Sequence, residues 1–292
     1  MIALADHLSI GTLIRTFWGR ITITWGLTLI ETALFAVLPL MIGQSIDGLL
    51  NDNWTPFTQL ILILLVLLCV AAGRRIYDTR AYGTMRVELG KAQAERGKDD
   101  PVSVINARVS MGREMVDFLE DTAPTSMTAL VQVLVSVGIL LSFHGNLAIS
   151  AGGALVLMLT IYGVFSRRFF RLNSALNEVA EGQVHRLEGR DPKAIAKHFL
   201  GLRREEVRLS DTESLVYGLI FAVLLTMLAY NLWFAATRLG STPGQIFSVV
   251  AYSQEFLQAA VQLPFALQAL TRLSEITERI NRSTSEILED SQ

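Results

Sequence analysis

Six long apolar blocks recur along this chain, and they restrict its fold more than any other feature. They run Thr16–Ile42, Phe57–Ala72, Ala123–Phe143, Asn146–Phe169, Ser214–Ala236 and Gln245–Leu270. A helix of about 20 apolar residues crosses the hydrocarbon core of a bilayer. Inside that core only segments that satisfy their own backbone hydrogen bonds survive. The second block is short, but its helix can continue through Ile76 and Tyr82. The 292 residues are 51% hydrophobic and 18% charged, with a mean hydropathy of +0.41. A soluble domain carries about 25% charged residues. The expected fold is therefore an all-α polytopic membrane protein with six transmembrane helices.

The lysines and arginines test this layout independently. Arg15 and Arg20 precede or open the first block, nine basic residues lie from Arg74 to Arg113, and ten lie from Arg167 to Arg208. Arg272, Arg279 and Arg282 follow the sixth block, and Arg238 is the one basic residue on the alternate side. Cytoplasmic loops concentrate Lys and Arg. Both termini and the two long polar segments are expected in the cytoplasm, and the membrane is expected to be a bacterial inner (plasma) membrane.

Three parts are expected. Residues 1–19 form an amphipathic helix at the interface, since Leu4, Leu8, Ile10, Leu13, Ile14, Phe17 and Trp18 are broken by Asp6, His7 and Arg15. A plain extension of the first membrane helix is the alternative, and the charges argue against a cleavable signal peptide. Residues 20–280 form the membrane domain, with helical hairpins at about 74–122 and 167–213. Residues 281–292 are a cytoplasmic tail. The hairpins keep an apolar seam, for example Val104, Ile105, Val109, Met115 and Phe118. An unpartnered helical hairpin is unstable in water, so these are expected to pack on each other, across a homodimer.

Polar residues inside the apolar blocks are the candidate site. Glu31 stands mid-block, sharing a face with Thr24, Thr28 and Thr32. An ionised carboxylate there costs roughly 2.5–3.5 kcal/mol on insertion scales. It is either a cavity acid that binds a cation or exchanges a proton, or a buried protonated Glu bonded to a neighbouring helix. Gln254, Glu255, Gln258 and Gln262 fall within an arc of about 100° on the sixth helix, opposite an apolar face. Lipid cannot satisfy them, so they line a pathway or a static polar seam. Gln132 shares a stripe with Thr125, Thr128 and Ser136 and joins one or the other. Gly152, Gly153 and Gly163 suggest close helix packing. Pro264 removes a backbone hydrogen bond and suggests a kink.

Other chemistry is not expected. Cys69 is the only cysteine, which excludes an intrachain disulfide and a cysteine metal site. His7, His144, His185 and His198 lie on separate segments without ligand spacing, so no metal and no cofactor is expected. His144 is a pH sensor or a solvated turn residue. Acidic residues are interleaved with the basic ones and the net charge is −2, which argues against nucleic acid as a partner.

The layout and two stretches, INARVSMGREMVDFLEDTAP and AIAKHFLGLRREEVRLSDTES, resemble the membrane domain of ATP-binding-cassette exporters over roughly residues 10–280. Arg108 and Ser110 fit an Arg-x-(Ser/Thr)-x-Asp pattern of that family, whereas Gly112 stands at its Asp position. The resemblance implies an exporter-type bundle, a homodimer, and a central cavity lined by the sixth helix. No Gly-x-x-x-x-Gly-Lys-(Ser/Thr) occurs, so ATP hydrolysis by that chemistry, or any enzyme activity, is not expected of these residues. The tip AQAERGKDDPVS replaces the family's coupling helix with a polar turn that has no aromatic anchor. The expected function is transport of small organic or amphipathic solutes in a lipid membrane without its own ATPase, coupled to protons, to other ions or to the solute gradient. The alternatives are a split exporter that needs a separate ATPase subunit, and a scaffold or regulator that transports nothing.

Overall fold

The computed structural model describes residues 10–96 and 102–265. Residues 1–9 of the amphipathic start, the centre of the first hairpin tip at 97–101, and the tail at 281–292 lie outside the described residues. The elements are α1 (Ile10–Thr16), α2 (Trp18–Leu50), α3 (Thr55–Arg96), α4 (Val102–Asp117), a π-helical turn (Phe118–Thr122), α5 (Ala123–Phe143), α6 (Gly145–Glu181), α7 (Gln183–Glu188) and α8 (Pro192–Thr237). A further helix, α9, covers 243–265. The described residues contain no strand.

Five stretches are long and apolar enough to cross a membrane: Trp18–Leu50, Thr55–Glu95, Gly112–Phe143, Gly145–Ala180 and Pro192–Thr237. The sixth expected span, α9, is helical to the edge of the described residues. It is not among the five, because Gln254, Glu255, Gln258 and Gln262 lower its hydropathy. Pro264 lies within its helical residues.

The helices outrun their apolar blocks. At 1.5 Å per residue the 42 residues of α3 measure about 63 Å, twice the ~30 Å hydrocarbon core. Its charged half, from Arg74 on, continues the same helix and pairs with α4 as the first hairpin.

Two compact units divide the chain, one of residues up to Leu140 with those from Leu239 onward, the other of Leu141–Arg238. In the first, α1 meets α2 at Phe17, where the helix breaks. Leu13, Phe17 and Ile21 recur every four residues on one face and are buried with Tyr82, Met85, Leu89, Met115, Val116 and Leu119. Leu13 of α1 is thus covered by protein. Tyr82 Oη donates to the Leu119 carbonyl at 2.9 Å, inside the π turn whose backbone pattern departs from the α-helical ladder. Gly112 packs on Leu89, whose Cδ2 lies 2.9 Å from where a Cβ would sit. A side chain at position 112, such as the family's Asp, would require the Leu89 side chain to shift.

In the first unit α9 also crosses α2 at backbone contact. A Cβ on Gly244 would stand 1.9 Å from the Gly43 carbonyl oxygen. Asp47 secures this crossing, accepting from the Gly244 N–H at 2.8 Å and from the Thr242 hydroxyl. Thr242 and Gln245 cap α9 reciprocally, each backbone N–H bonding the other's side-chain oxygen at 3.2 Å, the capping-box arrangement. Farther along, Ser248 Oγ donates to the Pro39 carbonyl at 2.9 Å and Tyr252 Oη to the Ala36 carbonyl at 2.8 Å. Pro39 removes the N–H that would bond the Phe35 carbonyl, and the α9 hydroxyls bind the adjoining carbonyls of Ala36 and Pro39.

In the second unit α6 packs along α8. His144 caps α6, its Nδ1 accepting from the Asn146 N–H at 3.1 Å, with its ring 5.0 Å from that of Phe234. The turn histidine therefore has a structural task. Asp191 caps α8 through the Lys193 N–H at 3.0 Å, with Pro192 in the first turn. A Cβ on Gly152, Gly153 or Gly163 meets nothing within 4 Å inside the chain, whereas backbones approach closely at Gly43 and Gly244.

Candidate functional site

The polar faces of α2, α5 and α9 converge within the first unit on a cavity of about 610 Å³. The threonine stripe of α2 explains how a polar helix face can be buried there. Thr24, Thr28 and Thr32 each return their hydroxyl hydrogen to the carbonyl four residues back, at 2.9, 3.0 and 2.8 Å. Their donors are satisfied without a partner helix. Thr28 and Thr32 reach the wall beside Glu31, and Thr32 also meets Thr128 of α5 at 3.3 Å between hydroxyl oxygens.

Glu31, Gln132, Glu255, Gln258 and Gln262 all line this cavity. Gln254 does not; it is exposed beside it. The helical wheel accounts for the difference. With Gln254 at the origin, Gln258, Gln262, Glu255 and Ala259 follow at about 40°, 80°, 100° and 140°. The wall is centred near the middle of that arc, which leaves Gln254 at its edge. On α5, Thr125 and Thr128 line the wall with Gln132, whereas Ser136 is fully buried and its hydroxyl has no hydrogen-bond partner among the described residues.

Two polar links tie these helices. Gln132 Nε2 donates to Glu255 Oε2, joining α5 to α9. Arg74 Nε donates to Glu31 Oε2 and its Nη1 to Asp78 Oδ2, the latter at 2.9 Å. Glu31 is thus a charge-compensated carboxylate, whereas Glu255 meets a neutral amide. A second guanidinium, Arg86, binds Asp117 Oδ1 through Nε at 3.0 Å and Glu120 through Nη2. This bond anchors the π turn to α3.

Sequence reasoning missed Arg74, Asp78, Glu120 and Asp121, all on the cavity wall. Arg74 was read only as a marker of the cytoplasmic side. The signal that finds it is its i, i+4 spacing to Asp78 one turn beyond an apolar block. Glu120 and Asp121 sit in the π turn, and no periodicity marks such a turn in advance. Phe35, Pro124, Ala129 and Ala259 complete an amphipathic lining. Among the described residues no group of His, Cys, Asp and Glu is arranged to hold a metal ion.

No curated protein matches the chain. A family model described as ABC transporter transmembrane region matches residues 11–244, from α1 through α8 to the start of α9. The cavity residues of α2, α3 and α5 lie within this match, and those of α9 beyond it. Taken with the helical, membrane-crossing architecture, the match over most of its length establishes that the chain is an integral membrane protein of the ABC transporter transmembrane region family.

Proposed function

We propose that this chain works as a homodimeric transporter of small organic or amphipathic solutes, and that the cavity among α2, α3, α5 and α9 is the solute's path. One observation carries the reading. Glu31, Gln132, Glu255, Gln258 and Gln262, from three different helices, share one cavity wall with Phe35 and Ala259. Polar residues in membrane helices mark solute and ion pathways, and a polar wall that also offers apolar contact at Phe35, Pro124, Ala129 and Ala259 suits polar or charged organic ligands.

The reading couples flux to an ion or solute gradient, because two carboxylates from different helices, Glu31 and Glu255, stand on the cavity wall. One charge crossing with the membrane potential contributes about 2.3 kcal/mol per 100 mV. Glu255 is the first candidate carrier, because its partner is an amide, and Glu31 the second, because Arg74 already neutralises it. The same reading places both termini in the cytoplasm of a bacterial cell.

Proteoliposomes containing only this protein test the proposal. A pH gradient should drive solute flux in the unmodified protein and not in Glu255→Gln. Undiminished flux in both Glu255→Gln and Glu31→Gln would remove these carboxylates from the mechanism. Membership in an ABC family favours a second reading, a membrane subunit that docks a separate ATPase chain. Flux that requires ATP and an added ATPase subunit, and ignores the pH gradient, decides for it.

A further inference from the structure

We infer that the cavity selects organic cations, which deepens the reading of this space as the solute's path and rests on it. Five carboxylates, Glu31, Asp78, Glu120, Asp121 and Glu255, stand on the wall against two guanidiniums, Arg74 and Arg75. Arg74 is already engaged by Glu31 and Asp78. Arg86 holds Glu120 from behind but also holds Asp117; counting that pair adds one charge of each sign and leaves the acidic surplus unchanged. The surplus does not hang on a single group. With Asp78 and Glu255 both neutral, three carboxylates still face two guanidiniums.

A second observation is independent of the count. Asp78 is only 6% exposed, it stands on the cavity wall, and its Oδ1 has no hydrogen-bond donor among the described residues. A buried acceptor left without a donor is costly. Oδ1 is itself sealed from the cavity, so a ligand acts on it through space: a cation against this wall offsets the buried charge, and an anion adds to it. Clefts with low-dielectric walls and one dominant sign of charge concentrate solutes of the opposite sign.

The rest of the wall says what kind of cation. The described acids form no metal-binding group, and Phe35, Ala129 and Ala259 offer apolar contact. Phe35 lines the cavity and is 49% exposed, and an aromatic residue there suits a cation–π contact. The ligand class is a compact organic cation with an apolar body, with the three glutamines Gln132, Gln258 and Gln262 as neutral hydrogen-bonding groups around it.

The test measures the cavity's electrostatics without knowing the solute. Cys69→Ser with Gln258→Cys leaves one thiol, on the cavity wall. The protein in nanodiscs is reacted with trimethylammonioethyl methanethiosulfonate and with sulfonatoethyl methanethiosulfonate, reagents of similar size and opposite charge. Their rate ratio is compared with that for a small free thiol. The expected ratio favours the cation by on the order of 10-fold more than the free thiol does, and the preference shrinks in Asp121→Asn combined with Glu255→Gln. A ratio at or below the free-thiol value overturns the cation inference and leaves the solute-path reading standing. Reaction with neither reagent, in protein that labels fully once denatured, removes both. The unmodified protein gives a second check that needs no variant. In equilibrium dialysis against empty nanodiscs, phenyltrimethylammonium should be retained and benzenesulfonate should not; equal retention, or none of either, also overturns the inference.

Discussion

The amide of Gln132 donates its hydrogen to the carboxylate of Glu255, and this bond joins α5 to α9 across the cavity wall. The two residues are 123 positions apart in the chain. Replacing Gln132 by Leu strands the carboxylate, and a buried polar group left unmade costs about 1–3 kcal/mol. Thermal unfolding in detergent should show Gln132→Leu clearly less stable than the parent. Glu255→Gln keeps an acceptor opposite the same amide, so it should unfold close to the parent while losing pH-driven flux.

Arg74 stands between two carboxylates. Arg74→Ala leaves Glu31 and Asp78 facing each other's charge without compensation. Removing one partner of a buried pair is strongly destabilising. The guanidinium is about a quarter exposed, which reduces the expected loss to roughly 1–3 kcal/mol. Adding Glu31→Gln to Arg74→Ala should recover part of it in a double-mutant cycle. Simple additivity of the two changes would show that the pair is not coupled.

The α2–α9 crossing admits no side chain at its closest point. Gly244→Ala places a methyl group against the Gly43 carbonyl, and Gly43→Ala places one against Ser248 and Gly244. Each should lower stability by about 1–3 kcal/mol, the usual cost of overpacking, and each should alter the cavity because α9 carries part of its wall. Gly152→Ala and Gly153→Ala meet nothing within 4 Å and should stay within about 0.5 kcal/mol of the parent. Melting temperatures measured side by side separate the two pairs.

Gly112→Asp restores the residue of the exporter pattern but drives a side chain into Leu89. It combines overpacking with a carboxylate set against an apolar cluster. A loss of at least about 2 kcal/mol is expected. Leu89→Ala in the same background should relieve the steric part only. A Gly112→Asp protein that melts like the parent would mean that the Leu89 side chain shifts without cost.

Much of the architecture is legible in the residues because the bilayer leaves few options. Block length and the Lys and Arg pattern lead to a helical, membrane-crossing chain, and α5 occupies the same Ala123–Phe143 that its apolar block does. Helical periodicity is local, so it also isolates the polar faces of α2, α5 and α9 before any packing is known. It cannot say how far a helix continues past its apolar block, since the charged half of α3 obeys the same 3.6-residue period. Nor can it announce the π turn at Phe118–Thr122, which changes that period for five residues.

By itself the sequence determined the helical class, the polar stripes, and Glu31, Gln132, Glu255, Gln258 and Gln262 as candidates, because each of these follows from neighbours within a few turns. Tertiary structure alone decided that the stripes share one cavity, that Gln254 falls at its edge, and that Arg74 pairs Glu31 with Asp78. It also decided that Gly43 and Gly244, rather than the glycines of α6, carry the close contact within the chain. These are relationships between residues far apart in the chain. The angle and depth at which whole helices pack set them, and no local pattern of residues encodes that packing.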